Sequence, residues 1–550
     1  PSSSPQGEKG PFKTPEPHDA QSLAQTLAHA ATRETGLRLF NGQGELAAQI
    51  SYRDLHQHAL TRARQLQAWA SRHSWQRHTA IGLLADTSLS FITNFFACQY
   101  AGLVPCPVPP PQVGLGLQNY VQRMDGMLCN VQARALLIDE GHAPLQAHFE
   151  RQGAVVPLVQ TASLPPGEPP HSALLTPLQD TEPAYIQFSS GTTNAPKGIQ
   201  ISQRAICRNM HGILHTGLRI TSSDRAFSWL PLYHDMGLVG FLLSPIAGAV
   251  PLDLLPPQAF ARRPQLWPRL MSDLRSTVCF APGFAWRLAA ERTPEDEARH
   301  LSLSALRIAG VGGDFIRAGD LNGFTQRFAA SGFTEESFHP CYGMAEATLA
   351  VSMGPARADD TGMLTSGKPL PGWEVRIVNE AGAPLPARQT GLVHLRGSSL
   401  MTGYWQNGQL LPAASDDWFH TKDVGYLTVD GDLVVTGRQQ SLLVIRGRNV
   451  HAEAVESAVS EALRLSHGAV MAYQEASSSM VDPADLVVLV ECPAQDPKER
   501  THWAETARQA AFAASGAAAD VRLVAPRTVK LTSSGKIARQ WTLKALIGHD

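Results

Sequence analysis

Charge of one sign, paired cysteines and long apolar runs are all missing from this chain of 550 residues. Its 46 Lys and Arg stand against 48 Asp and Glu, a formal net charge of -2. So even a balance argues against bulk electrostatic binding to nucleic acid or to an anionic membrane, while leaving room for a local basic patch. The seven cysteines (Cys98, Cys106, Cys129, Cys207, Cys279, Cys341 and Cys492) are odd in number, scattered and without a C-x-x-C pair. That excludes a disulfide framework and a zinc ribbon, and predicts a reduced, cytoplasmic setting. No apolar run reaches the roughly 18 residues that a membrane span needs. Gly at 45 and Pro at 39 are close to average usage, which excludes a collagen-like or wholly disordered chain.

What is present is ample material for a core, with 43% hydrophobic residues. At about 150 residues per domain the length predicts three to four domain-sized units, with no need of a disulfide or metal staple. Residues 1–18, dominated by Ser, Pro, Gly and Lys, read as a disordered leader without a signal-peptide core. The missing initiator Met predicts a trimmed or excised chain. Helical patterns follow over 22–32, from a capped start at Ser51 to Trp69, and over 88–100. Apolar runs at 79–84, 135–138, 155–158 and 184–188 read as strands between them. This alternation predicts an α/β fold with largely parallel sheets. The Pro-rich stretches 105–111 and 164–170 read as loops. Beyond about Gly367 the texture becomes alternating strands, at 374–378, 392–396 and 433–435, and a separate module follows from Arg438. The expected organisation is a large domain over 19–437, a hinge at 438–441 and a small α+β domain over 442–550.

The most informative segment is Ser189-Ser190-Gly191-Thr192-Thr193-Asn194-Ala195-Pro196-Lys197-Gly198, directly after the run ending at Phe188. Hydroxyls, glycines and a lysine in a strand-ending loop can wrap a polyphosphate with backbone N–H groups and a point charge. It is not a Walker loop, because Gly198 stands where Ser or Thr should follow the lysine. On composition alone it reads equally as a flexible polar loop. Other patterns fail. His211 and His215 have the i, i+4 spacing of a metal pair, but Gly212 replaces the glutamate of H-E-x-x-H. Gly310-Val-Gly-Gly313 lacks dinucleotide spacing, and no G-x-S-x-G occurs.

The Ser189–Gly198 segment resembles the phosphate loop of the adenylate-forming superfamily, which includes acyl-CoA synthetases, peptide-synthetase adenylation domains and luciferases. Tyr342-Gly-Met-Ala-Glu-Ala-Thr348, Asp423-Val-Gly-Tyr426, Thr436-Gly-Arg438 and Thr532-Ser-Ser-Gly-Lys536 resemble its later motifs, in the expected order. Three further stretches resemble the fatty acyl-AMP ligases of that superfamily: Trp229-Leu-Pro-Leu-Tyr-His-Asp-Met-Gly-Leu238, Phe338-His-Pro-Cys-Tyr342 and Ile445-Arg-Gly-Arg-Asn449.

The resemblance implies ATP-dependent activation of a fatty or related apolar acid, then transfer of the acyl group to the phosphopantetheine thiol of an acyl carrier protein. Two anions must meet in that reaction, so cations and fixed dipoles are needed where charge accumulates. By resemblance Ser189, Ser190, Gly191, Thr192, Thr193 and Lys197 bind phosphates, and Glu346 with Thr192 holds Mg2+. Lys536 meets the carboxylate and α-phosphate. Gly312, Gly313, Asp314, Tyr342, Gly343 and Met344 line the adenine pocket, Asp423 accepts from the ribose hydroxyls, and Arg438 precedes the hinge at Gln440 and Ser441. His234 lies by the adenylate and the acyl entrance. Trp229, Met236, Gly240, Phe280 and Phe284, with Trp286, are candidate lining for an acyl tunnel, although ordinary core explains the aromatics equally well. Arg438, Arg446, Arg448, Arg527 and Arg539 are either a solvated face or a patch for an acidic carrier protein.

Three departures stand out. The family usually has a lysine and an acidic residue after Gly437-Arg438, where this chain reads Gln439-Gln440-Ser441. Lys422 replaces the usual Gly before Asp423. The stretch 347–366 is too short for the insertion that acyl-AMP ligases usually carry and that is associated with poor use of coenzyme A. An acyl-CoA or aryl-CoA ligase of the same fold is therefore the alternative reading. A non-catalytic acyl-adenylate or nucleotide-binding module is the more distant one.

Overall fold

The computed structural model describes residues 21–111, 116–167, 175–189, 196–314, 316, 318–413, 417–445, 448–465, 468–474, 486–531 and 537–547. The leader expected at 1–18 lies outside them. The chain is α/β, as its alternating runs predict. Its largest sheet has nine strands, with Phe338–Gly343, Ile308–Val311, Val278–Ala281, Ala226–Ser228, Leu252–Leu254 and Gly36–Phe40 parallel at the centre. Antiparallel strands close both edges. Four of the central strands are buried at every position, the pattern of a sheet covered on both faces.

A second, wholly parallel sheet runs in the order Val104–Val108, Ala80–Leu84, Leu136–Ile138, Leu158–Gln160. Here two expectations are corrected. The Pro-rich run begins as a buried strand and not as a loop. It is an edge strand, so it needs N–H donors only at alternate residues. Val104 donates to Thr79 O at 3.0 Å, while Pro105 and Pro107 fall where no donor is required. The strand expected at 155–158 starts later, at Leu158, because the Val155 and Val156 N–H groups donate to the Asp125 carboxylate at 3.1 and 2.9 Å.

Helix starts follow their caps. Ser22, Ser51 and Ser88 accept backbone N–H bonds at the heads of Leu23–Ala30, Tyr52–Arg72 and Leu89–Ala101. The third sheet is antiparallel and joins Pro183–Phe188, Gly198–Ser202, Gly403–Gln406 and Gln409–Pro412. A fourth joins Trp373–Val378, Gly391–Gly397, Phe419–Leu427 and Leu433–Arg438.

After the turn Gln439–Ser441 comes the hairpin Leu442–Ile445 with Arg448–His451. Beyond it a three-stranded sheet packs on helices Ala452–Ala462 and Pro497–Ser515. Core clusters divide in the same region: one ends at Leu433, and the C-terminal ones begin at Leu443. Arg287 crosses between them, its Nη1 donating to Leu465 O at 2.9 Å. All seven cysteines are free thiols. No helix among the described residues is long and apolar enough to cross a membrane.

Candidate active site

The phosphate-loop segment is pinned at its base. Strand Pro183–Phe188 pairs with Gly198–Ser202 as a hairpin, and Ser189 N donates to Lys197 O at 3.0 Å. Ser190, Gly191, Thr192 and Thr193, between those anchors, lie outside the described residues, as does Lys536. The Lys197 ammonium sits 4.9 Å from the centre of the Tyr404 ring. Tyr404 is carried on Gly403–Gln406, the strand paired directly with Gly198–Ser202. Its hydroxyl donates to Glu346 Oε1 at 2.9 Å. One aromatic residue thus ties Lys197 to Glu346. Nothing in the sequence singled out Tyr404; the only signal was an aromatic pair, Tyr404-Trp405, with no motif around it.

Glu346 rides on the short turn Ala345–Ala347, just past the end of strand Phe338–Gly343. The next residue but one, Thr348, has φ +67 and ψ -57, with Leu349 N donating to Ala347 O at 2.8 Å. This is the strained, positive-φ form of the γ-turn, rare for a β-branched residue. It is held by full burial of Thr348 and by its Oγ1 donating to Ser399 O at 2.7 Å. Met401 N donates to Glu346 O at 2.8 Å from the same stretch. Strain kept in place by surrounding bonds is a mark of functional sites. Gly343 is required here, since a Cβ would lie 1.8 Å from Leu349 O. Met344 N donates to that same carbonyl at 2.9 Å.

Burial pushes the Glu346 carboxyl above its ordinary value, and the charge of Asp235 adds to this against Tyr404 and Arg438. Such a carboxylate gains from a cation beside it. The donor set fits a magnesium ion held mainly by substrate phosphates and one protein carboxylate.

Asp423 lies buried on Phe419–Leu427. The Tyr342 hydroxyl donates to its Oδ2 at 2.6 Å, Arg438 Nε pairs with its Oδ1 at 3.2 Å, and its own N–H donates to Thr421 Oγ1 at 3.0 Å. Burial works against the Arg438 charge, but Asp423, Tyr342, Asp314 and Glu346 outweigh it and hold the guanidinium above its usual value. The hydroxyl of Tyr342 is pushed up by burial and by Asp423. Gly312, Gly313 and Asp314 follow strand Ile308–Val311, Gly313 at φ +82. The C-terminal Arg539, paired with Glu456 at 2.6 Å, also feels the charge of Asp314.

His234 approaches from another side. Its Nδ1 is 2.7 Å from Asp235 Oδ1, which also accepts from Met236 N at the head of helix Met236–Leu243. Gln187 Nε2 donates to Tyr233 O at 3.1 Å, fixing this turn to the phosphate-loop strand. A Cβ on Gly313 would lie 3.4 Å from Met236 Cε, and one on Gly240 3.2 Å from Leu349 Cδ2. The turn therefore lies between the Gly312–Asp314 and Glu346 segments.

Among the aromatics, Trp229 stacks on Phe260 at 3.8 Å, and Phe280 lies 5.7 Å from Phe241. Phe284 is half-buried, whereas Trp286 is fully enclosed by Trp267, Phe324 and Phe338. At Trp286 the packing role accounts for the residue. His211 and His215 lie 4.3 Å apart, ring to ring, at the end of a helix. At the proposed hinge Ser441 is buried in the turn Gln439–Ser441, and the side chain of Gln440 is outside the description.

Comparison with known proteins identifies the family. The profile of the AMP-binding enzyme family matches residues 27–405. A protein of Caulobacter vibrioides, provisionally named an acyl-CoA synthetase, is 35% identical over 95% of this chain and 94% of its own. The medium-chain fatty acid:acyl-carrier-protein ligase of Moorena producens is 29% identical over 82% of each chain. A structure among the fatty acyl-adenylate ligases of E. coli and L. pneumophila superposes with a TM-score of 0.87 at 31% identity, covering 96% of this chain and 98% of that one.

Proposed function

The chain belongs to the AMP-binding enzyme family and is an adenylate-forming ligase, and from that membership we propose that it activates a fatty or related apolar acid for transfer to an acyl carrier protein. In the first half-reaction a carboxylate oxygen attacks the α-phosphorus of ATP. The bond to the bridging oxygen breaks, and pyrophosphate leaves with the electron pair. In the second, the phosphopantetheine thiol attacks the acyl carbonyl, loses its proton, and AMP departs.

The observation that carries this reading is the convergence of Lys197 and Glu346 on Tyr404. A cation and a carboxylate held by one rigid ring are preorganised for a polyphosphate and its counter-ion. Bound magnesium would neutralise phosphate charge, with Glu346 and Thr192 as its protein ligands. Asp423 has taken Tyr342 and Arg438 on its two oxygens. A carboxylate offers about four lone pairs, so two stay available for the ribose hydroxyls. Gly312, Gly313, Asp314, Tyr342, Gly343 and Met344 border the adenine. His234, oriented by Asp235, faces the reacting carboxylate. Trp229, Met236, Gly240, Phe280 and Phe284 border the acyl chain, and Lys536 enters from the small domain over 442–550, which turns on 438–441.

Coenzyme A is the rival acceptor. The segment 347–366 favours it, being too short for the insertion associated with poor use of coenzyme A; it holds a tight turn in which Asp359 Oδ1 accepts from the Thr361 and Met363 N–H groups. Mass spectrometry of products from ATP, magnesium and a panel of acids decides, run in buffer, with coenzyme A and with loaded carrier protein. Acyl-AMP in buffer and acyl-carrier in preference to acyl-CoA is the expected result. Efficient acyl-CoA formation makes the protein a coenzyme A ligase, and no acyl-AMP with any acid overturns the activation itself.

A further inference from the structure

A cluster of donors outside the residues described above lies at the parallel sheet that holds Ala80–Leu84. The sheet order is Val104–Val108, Ala80–Leu84, Leu136–Ile138, Leu158–Gln160. After Ala80–Leu84 the chain crosses to one side to form Val104–Val108, then returns to the other side to form Leu136–Ile138. The point between Ala80–Leu84 and Leu136–Ile138 is therefore where the strand order reverses. In open parallel sheets the two connections diverge at that point and leave a crevice at the carboxyl ends of the strands, the usual place for a ligand.

Asp86 stands two residues beyond the end of Ala80–Leu84, and Asp139 directly beyond Leu136–Ile138. His142 follows one turn later, its N–H donating to Asp139 O at 3.1 Å. One donor atom from each of the three lies within 4.8 Å of the others. His142 Nδ1 is 2.8 Å from Asp139 Oδ1 and 3.9 Å from Asp86 Oδ2. All three are half-buried, with side-chain exposures between 25% and 29%. Ligands bonded to one ion at 2.0–2.2 Å stand roughly 3–4.5 Å apart.

An independent observation points at the same spot. Asn94, only 4% exposed, lines the same small cavity as Asp86, Asp139 and His142. Its Oδ1 is buried without a hydrogen-bond partner. A buried amide oxygen with nothing to accept from loses its hydration without compensation. A cation in the crevice would satisfy it and would also separate the two carboxylates.

We infer that Asp86, Asp139, His142 and the Asn94 amide oxygen form a binding site for a divalent first-row cation of the Mn2+ or Zn2+ kind. One imidazole with three oxygens suits these ions better than magnesium, which prefers an all-oxygen shell. The bound ion staples the exits of two neighbouring parallel strands to helix Leu89–Ala101, which carries Asn94.

The test is titration of the full chain with Mn2+, free ion followed by electron paramagnetic resonance, in the absence of nucleotide. A Glu346→Gln background removes the proposed magnesium ligand. One ion per chain is expected, with affinity reduced about tenfold or more in Asp139→Asn and His142→Gln. Zn2+ should raise the melting temperature of the parent and not of those variants. Equal binding by parent and both variants, or no ion held by the parent at equimolar metal, overturns the site. Should Asp139→Asn fail to fold, His142→Gln and Asn94→Ala answer the same question.

Discussion

Tyr404 carries two functions on one side chain, a ring beneath the Lys197 ammonium and a hydroxyl on Glu346. Tyr404→Phe separates them, because the ring stays and the hydroxyl goes. The hydroxyl lowers the Glu346 carboxyl against the opposing effect of burial. Its removal therefore raises that group further, and the ionised form is lost at a higher pH. Adenylate formation should fall on the order of tenfold, a charge-assisted bond's worth. The acid limb of its pH profile should move upward. An unmoved profile would reduce Tyr404 to packing. Lys422 supports a different prediction. It sits at φ +65, immediately before Asp423, where the resembling family has glycine. Left-handed backbone costs a side-chain-bearing residue about 1–2 kcal/mol, partly offset by the extra freedom of glycine in the unfolded chain. Lys422→Gly should stabilise by somewhat under about 1 kcal/mol, read as a higher urea midpoint at unchanged slope. A lower midpoint would mean the lysine side chain makes a contact worth more than the strain.

At the scale of elements, the strand that leads to Ser189 begins at a clamp. Glu182, just before Pro183–Phe188, accepts from Arg77 Nε and Nη2, both at 2.6 Å, from the Gln179 N–H at 2.8 Å, and pairs with His78 at 2.7 Å. Arg77 also reaches Thr176 O and Pro177 O, so the clamp joins the parallel sheet to the phosphate-loop hairpin. The Arg77 hydrogen bonds hold the Glu182 carboxyl at about 2, against an ordinary 4.5. Its folded value is the depressed one. The stabilisation is therefore complete above about 4.5 and is lost as pH falls toward 2. Glu182→Gln should be less stable than the parent at neutral pH, with the gap closing across that window in urea unfolding. A gap that stays constant with pH would locate the effect elsewhere. Elements with local signals were legible in the sequence: the capped start at Ser51 opened a helix, the patterns over 22–32 and 88–100 are helical, and the apolar runs at 79–84 and 135–138 are parallel strands, whereas the short central strands of the nine-stranded sheet carried no signal that was read. Val104–Val108 was not legible, because edge position decides whether proline is tolerated and edge position is a property of the whole sheet. The strand Phe419–Leu427 was not legible as a strand; only the motif Asp423–Tyr426 within it was recognised. Tyr404 stayed hidden because its importance comes from strand pairing with Gly198–Ser202, more than two hundred positions away.

Across the whole molecule, Asp314 links the large part of the chain electrostatically to its C-terminal part. Arg438, at the end of Leu433–Arg438, and Arg539, on the helix Arg539–Ile547, both feel its charge. Arg287, anchored on Asp320 at 3.1 Å, holds Leu465 O from the large part of the chain. The C-terminal module is thus joined to the candidate site by a few polar contacts and the turn Gln439–Ser441. The core clusters on either side of that turn are separate, which is what the proposed turning of the small domain would need. Lys536, proposed above to enter the site, precedes Arg539 by three residues. If Lys536 stabilises charge on the α-phosphate only as the acid attacks, Lys536→Ala removes a transition-state contact and leaves ground-state nucleotide binding nearly intact. Pyrophosphate release from ATP and the best acid should fall by on the order of a hundredfold to a thousandfold. ATP affinity measured by calorimetry should change little. Transfer from supplied acyl-AMP to the acceptor thiol should persist, since the phosphoryl step is already complete. Unchanged pyrophosphate release would remove Lys536 from the chemistry. Equal loss of both half-reactions would instead mean that the lysine positions the module as a whole.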